Sequence, residues 1–236
     1  MTAPSSRLLL LSNSRNPAGE YLVHAREAIT RVVQGRQRAL FFAFAGTTVA
    51  WDAYTDMVQE ALHPAGLQLV AAHTQEDLER AIADAEVLVV GGGNTFRLLH
   101  EMRVHRALEP VRRAVLTGTP YIGWSAGAVL AGPTICTTND MPIVDPGGLD
   151  ALAVLPMQIN AHYTNALPPG HQGETRNQRL AEFLVMHPHS RVLALPEGNW
   201  LEVDGLHYQL QGPHGNWLFL PGKAPAPLQA GPLVLP

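Results

Sequence analysis

One serine of this 236-residue chain stands where a hydroxyl can become a nucleophile. Tyr121-Ile122-Gly123-Trp124-Ser125-Ala126-Gly127-Ala128 reads as a short apolar strand, a sharp turn and the opening of a small-residue helix, with Ser125 at the apex. Gly123-x-Ser125-x-Gly127 has the spacing of a nucleophile elbow. So tight a strand-to-helix turn forces the apex residue into unusual backbone angles, and its neighbours must lack bulk. The N–H groups that open the following helix then point towards a reacting carbonyl.

A serine of this kind needs a base, and the base needs a group to orient it. Of eleven histidines, His162 is the best placed, because it follows the apolar run Val154–Asn160 and stands at a strand's carboxyl end. His187 and His189 read as a solvated helix end; His63, His73, His100 and His105 fall on helices or exits with no partner pattern. Two acids compete for the orienting role. Asp140 lies in the polar loop after the serine helix, and Ser125…Asp140…His162 has the chain order of α/β-hydrolases. Glu197 lies at a strand exit beside Gly198. Spacing leaves both open.

Gly91-Gly92-Gly93-Asn94-Thr95 follows a β-branched strand and opens a helix. Its amides suit an oxyanion, with the Gly93 N–H acting beside that of Ala126. A phosphate cradle is the other reading, but G-x-G-x-x-G and Walker A are both absent. Gly92 and Asn94 are expected to border the substrate. Arg176 falls in the first turn of a helix announced by the capping-box pattern Thr175–Gln178. A cation there opposes the helix macrodipole, and the conflict points to a task such as holding a substrate carboxylate. An ion pair with Glu174 is the plainer alternative.

The elements that must position these residues follow an alternating pattern. Apolar strands are expected at 7–11, 39–44, 67–71, 86–90 and 120–123, with helical periodicity between them. Strands apolar throughout and alternating with helices predict a mostly parallel sheet covered on both faces, with sites at the strands' carboxyl ends. The second half is less regular: a strand over 154–160, a helix after Thr175, a strand at 192–195, a hairpin around Asp204-Gly205 and an edge strand at 217–220. Residues 1–236 read as one α/β domain ending in an irregular proline-rich tail, 221–236.

The chain is 46% hydrophobic and 15% charged, enough for a core and too apolar for disorder. A net charge of −4 with no basic run argues against nucleic-acid partners. Cys136 is the single cysteine, which fits a reducing compartment. Leu8–Leu11 is far too short to span a bilayer, so no membrane partner and a soluble cytoplasmic protein are expected. No H-E-x-x-H or Cys/His cluster appears, so neither metal nor other cofactor is expected.

The blocks Leu8–Ser14, Val90–Phe96, Gly123–Ala128, Thr137–Asp145, Gln158–His162, Gly173–Arg176 and Leu195–Trp200, taken in order, resemble the peptidase E family of α-aspartyl dipeptidases. These are serine peptidases with a class I glutamine-amidotransferase-like, flavodoxin-like fold. The resemblance covers nearly the whole chain. It implies Ser125 as nucleophile, His162 as general base, Asp140 or its rival Glu197 as the acid, and Gly93 and Ala126 as oxyanion donors. Arg176 falls in the block expected to meet the substrate's aspartyl carboxylate. Ala161 and Val129 stand where proline and asparagine are common, and neither change removes a catalytic group. The expected activity is hydrolysis of small Asp-Xaa dipeptides through an acyl-enzyme, without a cofactor. Two further readings are an amidohydrolase acting on another aspartyl substrate, such as an aspartate-rich polymer, and a catalytically silent sensor on the same fold.

Overall fold

The computed structural model describes residues 6–170 and 172–235. Its organising strand is β1 (Arg7–Leu11), four leucines behind an arginine. All four leucines are fully buried, and they divide by parity. Leu8 and Leu10 enter one apolar cluster, Leu9 and Leu11 the other. Alternate residues of a strand point to opposite faces, so a run apolar in every position requires cover on both sides. Burying each such side chain contributes about 1.5–3 kcal/mol.

Around β1 the chain runs α1 (Arg26–Val33), β2 (Arg38–Phe42), α2 (Trp51–Leu62), β3 (Gln68–Ala71), α3 (Leu78–Ala83), β4 (Val87–Val90), α4 (Thr95–Val104) and α5 (Leu108–Leu116). Then come β5 (Tyr121–Trp124), the short α6 (Ala126–Leu130), β6 (Gln158–Asn160), α7 (Arg176–Met186) and β7 (Val192–Ala194). The last elements are β8 (Trp200–Asp204), β9 (His207–Gln211), β10 (Asn216–Phe219), β11 (Ala226–Leu228) and β12 (Gly231–Leu233). The main sheet has the order β12-β9-β8-β1-β5-β4-β2-β3. From β1 to β3 every pairing is parallel; β8, β9 and β12 extend the sheet antiparallel. This is the expected α/β sheet with helices on both faces, and the hairpin around Asp204-Gly205 is its C-terminal extension.

A second sheet, β11-β10-β7-β6, departs from expectation. Its strand β6 is shorter than the apolar run suggested, because Ala153 turns at φ +50° and the chain stays irregular until Gln158. Strand β10 is not an edge: it lies between β7 and β11. Nor is the tail irregular, since β11 and β12 fall within 221–236 and complete one edge of each sheet. Proline is tolerated at such edges, and edge pairing depends on partners remote in sequence. One face of the second sheet takes Leu180 and Leu184 of α7, an i,i+4 pair, against Val192, Ala194 and Phe219. The other face sends Ile159 and Leu193 into the main core. Among the described residues no helix is long and apolar enough to cross a membrane.

Candidate active site

Ser125 sits at the tip of β5 with φ +53° and ψ −115°. Backbone angles so rare for a side chain with a Cβ cost about 1–3 kcal/mol and persist only where surroundings enforce them. Here they do. The Ser125 N–H donates to the Leu11 carbonyl at 3.0 Å, while Ala128 and Val129 return N–H bonds to the Ser125 carbonyl. The flanking glycines are steric necessities. A Cβ on Gly123 would lie 2.5 Å from the Gly127 carbonyl oxygen, and one on Gly127 would overlap the Val90 carbonyl. Helix α6 therefore packs directly on the backbone of β4 and β5.

His162 and Glu197 arrive from the other sheet. Strands β6 and β7 are parallel neighbours with Asn160 opposite Ala194, so the residues just past their carboxyl ends emerge side by side. His162 Nε2 lies 2.9 Å from Ser125 Oγ, and His162 Nδ1 lies 2.8 Å from Glu197 Oε1. An ionised carboxylate can only accept, so Nδ1 carries the proton and Nε2 is left to accept from the serine hydroxyl. His162 is itself held at φ +52°.

The seam between the sheets is closed by a residue that spacing did not single out. Ser12, fully buried at the end of β1, donates from Oγ to the Leu195 carbonyl at 2.7 Å and accepts from the His162 N–H at 2.8 Å. Asn13 Oδ1 accepts from the Gly198 N–H, one residue past Glu197. The signal was present in Ser12-Asn13-Ser14 at a strand's carboxyl end, but its partners lie more than 140 residues away in the chain.

Asp140 is not brought to His162. Its Oδ2 accepts from the Thr95 N–H at 2.7 Å, from the Thr95 hydroxyl, and from the Thr138 hydroxyl at 3.0 Å. It is an acceptor for the first turn of α4, where a negative charge complements the helix dipole. Its loop also braces the histidine strand: Thr137 Oγ1 donates to Ile159 O, Asn139 Nδ2 to Ala161 O, and Asn160 Nδ2 to Thr137 O, each at 2.8 Å. The chain order that pointed to Asp140 reflects a loop packed behind the imidazole, not a carboxylate beside it.

The glycine turn borders the serine. Gly93 takes φ +138°, and a Cβ on Gly92 would lie 2.9 Å from Ser125 Cβ. Among the described residues no backbone or side-chain acceptor takes the N–H of Gly93 or of Ala126. Asn94 is engaged structurally: Oδ1 accepts from the Arg97 N–H as the N-cap of α4, and Nδ2 donates to Met141 O at 2.8 Å. A cavity of about 270 Å³ opens beside Ser125, walled by Tyr21, Val49, Tyr54, Met57, Trp124 and His162.

Arg176 is the first residue of α7, behind a complete capping box formed by Thr175 and Gln178. It does not pair with Glu174, whose carboxylate faces Arg179 at 4.0 Å. Its Nε is buried without a partner among the described residues. Burial, then the neighbouring Arg179 charge, pull its pKa below the usual arginine value. The start of α7 is tied to the segment after His162, since Asn177 Oδ1 accepts from the Tyr163 hydroxyl at 2.7 Å and its N–H donates to Asn165 Oδ1.

An α/β sheet whose elbow serine is joined to an imidazole and a carboxylate, with free amides alongside, defines a hydrolase of the serine type. The chain matches the profile of Peptidase family S51 over residues 8–211. It is 52% identical over 224 residues to Peptidase E of Salmonella typhimurium, covering 95% of this chain and 98% of that one, and equally to Peptidase E of Citrobacter koseri. The chain therefore belongs to peptidase family S51 and is a serine-type peptidase. Two solved structures share the fold: a candidate peptidase E protein from Listeria monocytogenes (TM-score 0.64, 20% identity, 89% of this chain and 99% of that one) and a peptidase from an acI-B1 actinobacterium (TM-score 0.66, 14% identity, 96% and 95%).

Proposed function

We propose that the protein is a dipeptidase that hydrolyses Asp-Xaa dipeptides, with Ser125 as nucleophile, His162 as base and Glu197 as orienting acid. The observation that carries this reading is the 2.9 Å and 2.8 Å pair of contacts on either side of one imidazole. Ser125 Oγ attacks the aspartyl carbonyl and its proton passes to His162 Nε2. The carbonyl oxygen, now negative, is received by the N–H groups of Gly93 and Ala126, a contribution typically worth ~3 kcal/mol per donor. Collapse breaks the C–N bond, and His162 returns the proton to the leaving amine. Water, deprotonated by the same imidazole, attacks the aspartyl ester and releases aspartate and Ser125.

Glu197 acts on geometry more than on stability. With 67% of its side chain exposed, its hydrogen bond to His162 stands in water, and even as a charged pair such an exposed contact contributes only about 0–1 kcal/mol to folding. What it fixes is the tautomer. The substrate's β-carboxylate is assigned to Arg176. A guanidinium with a desolvated, unpartnered Nε is disfavoured until an anion arrives, which penalises uncharged substrates.

Hydrolysis of Asp-p-nitroanilide beside its Glu, Asn and Leu analogues tests the substrate class, with Asp-Xaa dipeptides run against longer peptides. Strong preference for Asp in short substrates is expected. Equal rates on Leu and Asp, or cleavage confined to longer aspartyl chains, would overturn it.

A further inference from the structure

The oxyanion amide assigned above to Gly93 belongs to a peptide whose other end is held by a side chain that the reaction scheme does not use. In a planar trans peptide the C=O and the N–H point in opposite directions. The Gly92 carbonyl therefore fixes the direction of the Gly93 N–H, and that carbonyl accepts a hydrogen bond from Tyr54 Oη at 3.1 Å. Tyr54 comes from the first turn of α2, far from the glycine turn in sequence, and is only 5% exposed.

The same hydroxyl meets the elbow. Trp124, the residue before Ser125, donates from Nε1 to Tyr54 Oη at 3.1 Å, and Tyr21 Oη lies 3.1 Å away on another side. A phenol has one proton and two acceptor lone pairs. With the proton directed at Gly92, both lone pairs are filled by Trp124 and Tyr21, so Tyr21 is the donor in the tyrosine pair. Every position of the hydroxyl is then assigned, and its rotation is fixed. Aromatic packing fixes the ring as well: Phe41 meets Tyr54 edge-on at 5.3 Å and stacks on Trp124 at 6.1 Å. Gly91 is shaped to admit it, since a Cβ there would lie 2.7 Å from Tyr54 Oη.

We propose that Tyr54 is a positioning residue for the oxyanion hole: its hydroxyl sets the Gly92–Gly93 peptide plane and, through Trp124, ties that plane to the serine elbow. The inference rests on the assignment of Gly93 as an oxyanion donor. Burial holds Tyr54 and Tyr21 in the neutral, donating form throughout the range in which the enzyme would work. A hub of this kind acts only as negative charge develops on the carbonyl oxygen, so its loss belongs in kcat more than in KM.

The test is Tyr54→Phe, assayed on Asp-p-nitroanilide with the unaltered enzyme alongside. Removing an oxyanion donor outright typically costs ~100- to 1,000-fold, and a misdirected donor less, so kcat is expected to fall about 10- to 100-fold. KM and inhibition by aspartate, which carry no tetrahedral centre, should stay within about threefold. Affinity for an aspartyl aldehyde, which forms a tetrahedral adduct on the serine, should fall in step with kcat/KM. If Tyr54→Phe does not fold, p-methylphenylalanine at position 54, which fills the hydroxyl's space without donating, is measured against the same criteria. Replacement by p-aminophenylalanine, which keeps a donor, should recover most of the loss. A kcat within twofold of the unaltered enzyme, or equal losses in aldehyde and aspartate binding, would overturn the proposal. Absence of turnover by the unaltered enzyme would instead overturn the substrate reading beneath it.

Discussion

Ser125 leaves β5 from the middle of a sheet buried on both faces, while His162 and Glu197 leave a small second sheet with 40% and 67% of their side chains exposed. The first region is held by sterics. Gly123 packs against the Gly127 carbonyl and Gly127 against the Val90 carbonyl, which leaves no room for a side chain at either position. The second is held by polar stitching: Ser12, Asn13, Thr137 and Asn139 bond to backbone groups around the histidine and the acid. Close packing makes a rigid perch for the Ser125 hydroxyl, whereas hydrogen bonds set the angle of the His162 imidazole, which in the proposed reaction takes up and returns a proton. The two regions should therefore fail differently when altered.

The largest separation is expected between the two acids. Glu197→Gln replaces an acceptor-only carboxylate with an amide that can also donate, so the His162 tautomer is no longer fixed, and kcat should fall about 10³- to 10⁴-fold, with Tm nearly unchanged because the side chain is exposed. Asp140→Asn should do the reverse. It weakens the bonds to Thr95 and Thr138 and costs about 1 kcal/mol or more in thermal unfolding, with a kcat loss of about tenfold or less. A catastrophic kcat for Asp140→Asn with a mild one for Glu197→Gln would reverse the assignment.

Next in size is Arg176→Gln. Charged hydrogen bonds are worth about 1.5–3 kcal/mol, so kcat/KM on the Asp substrate should fall about 10- to 150-fold while the Asn and Leu analogues change little. Equal losses on all substrates would mean that Arg176 supports the fold only.

Ser12→Ala probes the seam directly. It strips the His162 N–H and the Leu195 carbonyl of a buried partner, and should cost about 1–3 kcal/mol in denaturant unfolding together with a drop in kcat. Unchanged kcat at lowered stability would detach the seam from the chemistry.

The smallest effect is the alkaline limb. All five tyrosines have pKa values raised by burial, so phenolate absorbance in the native protein should lag behind that of the unfolded chain as pH rises through 10. Because the native state keeps protons that the unfolded chain loses, this contribution to stability is complete below about pH 10 and fades as pH rises beyond it. Phenolate titration of the native protein that keeps pace with the unfolded chain, in a variant with Tyr163 and Tyr208 replaced by Phe, would contradict the buried hub at Tyr21 and Tyr54.

The same contrast explains what could be read from the residues alone. Strands β1 to β5 and the elbow were legible because their causes are local: apolar runs, helical spacing, and glycines two positions either side of a serine. Arg176 behind its capping box was legible for the same reason. That Glu197 rather than Asp140 meets the imidazole was not, because it depends on β6 and β7 pairing in parallel in a separate sheet. The tail strands and the Ser12 bridge share that difficulty, since each exists only through partners distant in the chain.

The most direct test of the arrangement is intact-mass spectrometry after exposure to an aspartyl diphenyl phosphonate, run on the unaltered enzyme, His162→Ala and Glu197→Gln. One adduct per chain is expected, mapped to Ser125, formed far more slowly by Glu197→Gln and not detectably by His162→Ala. An adduct on another residue, or labelling of Ser125 at an undiminished rate without His162, would contradict it.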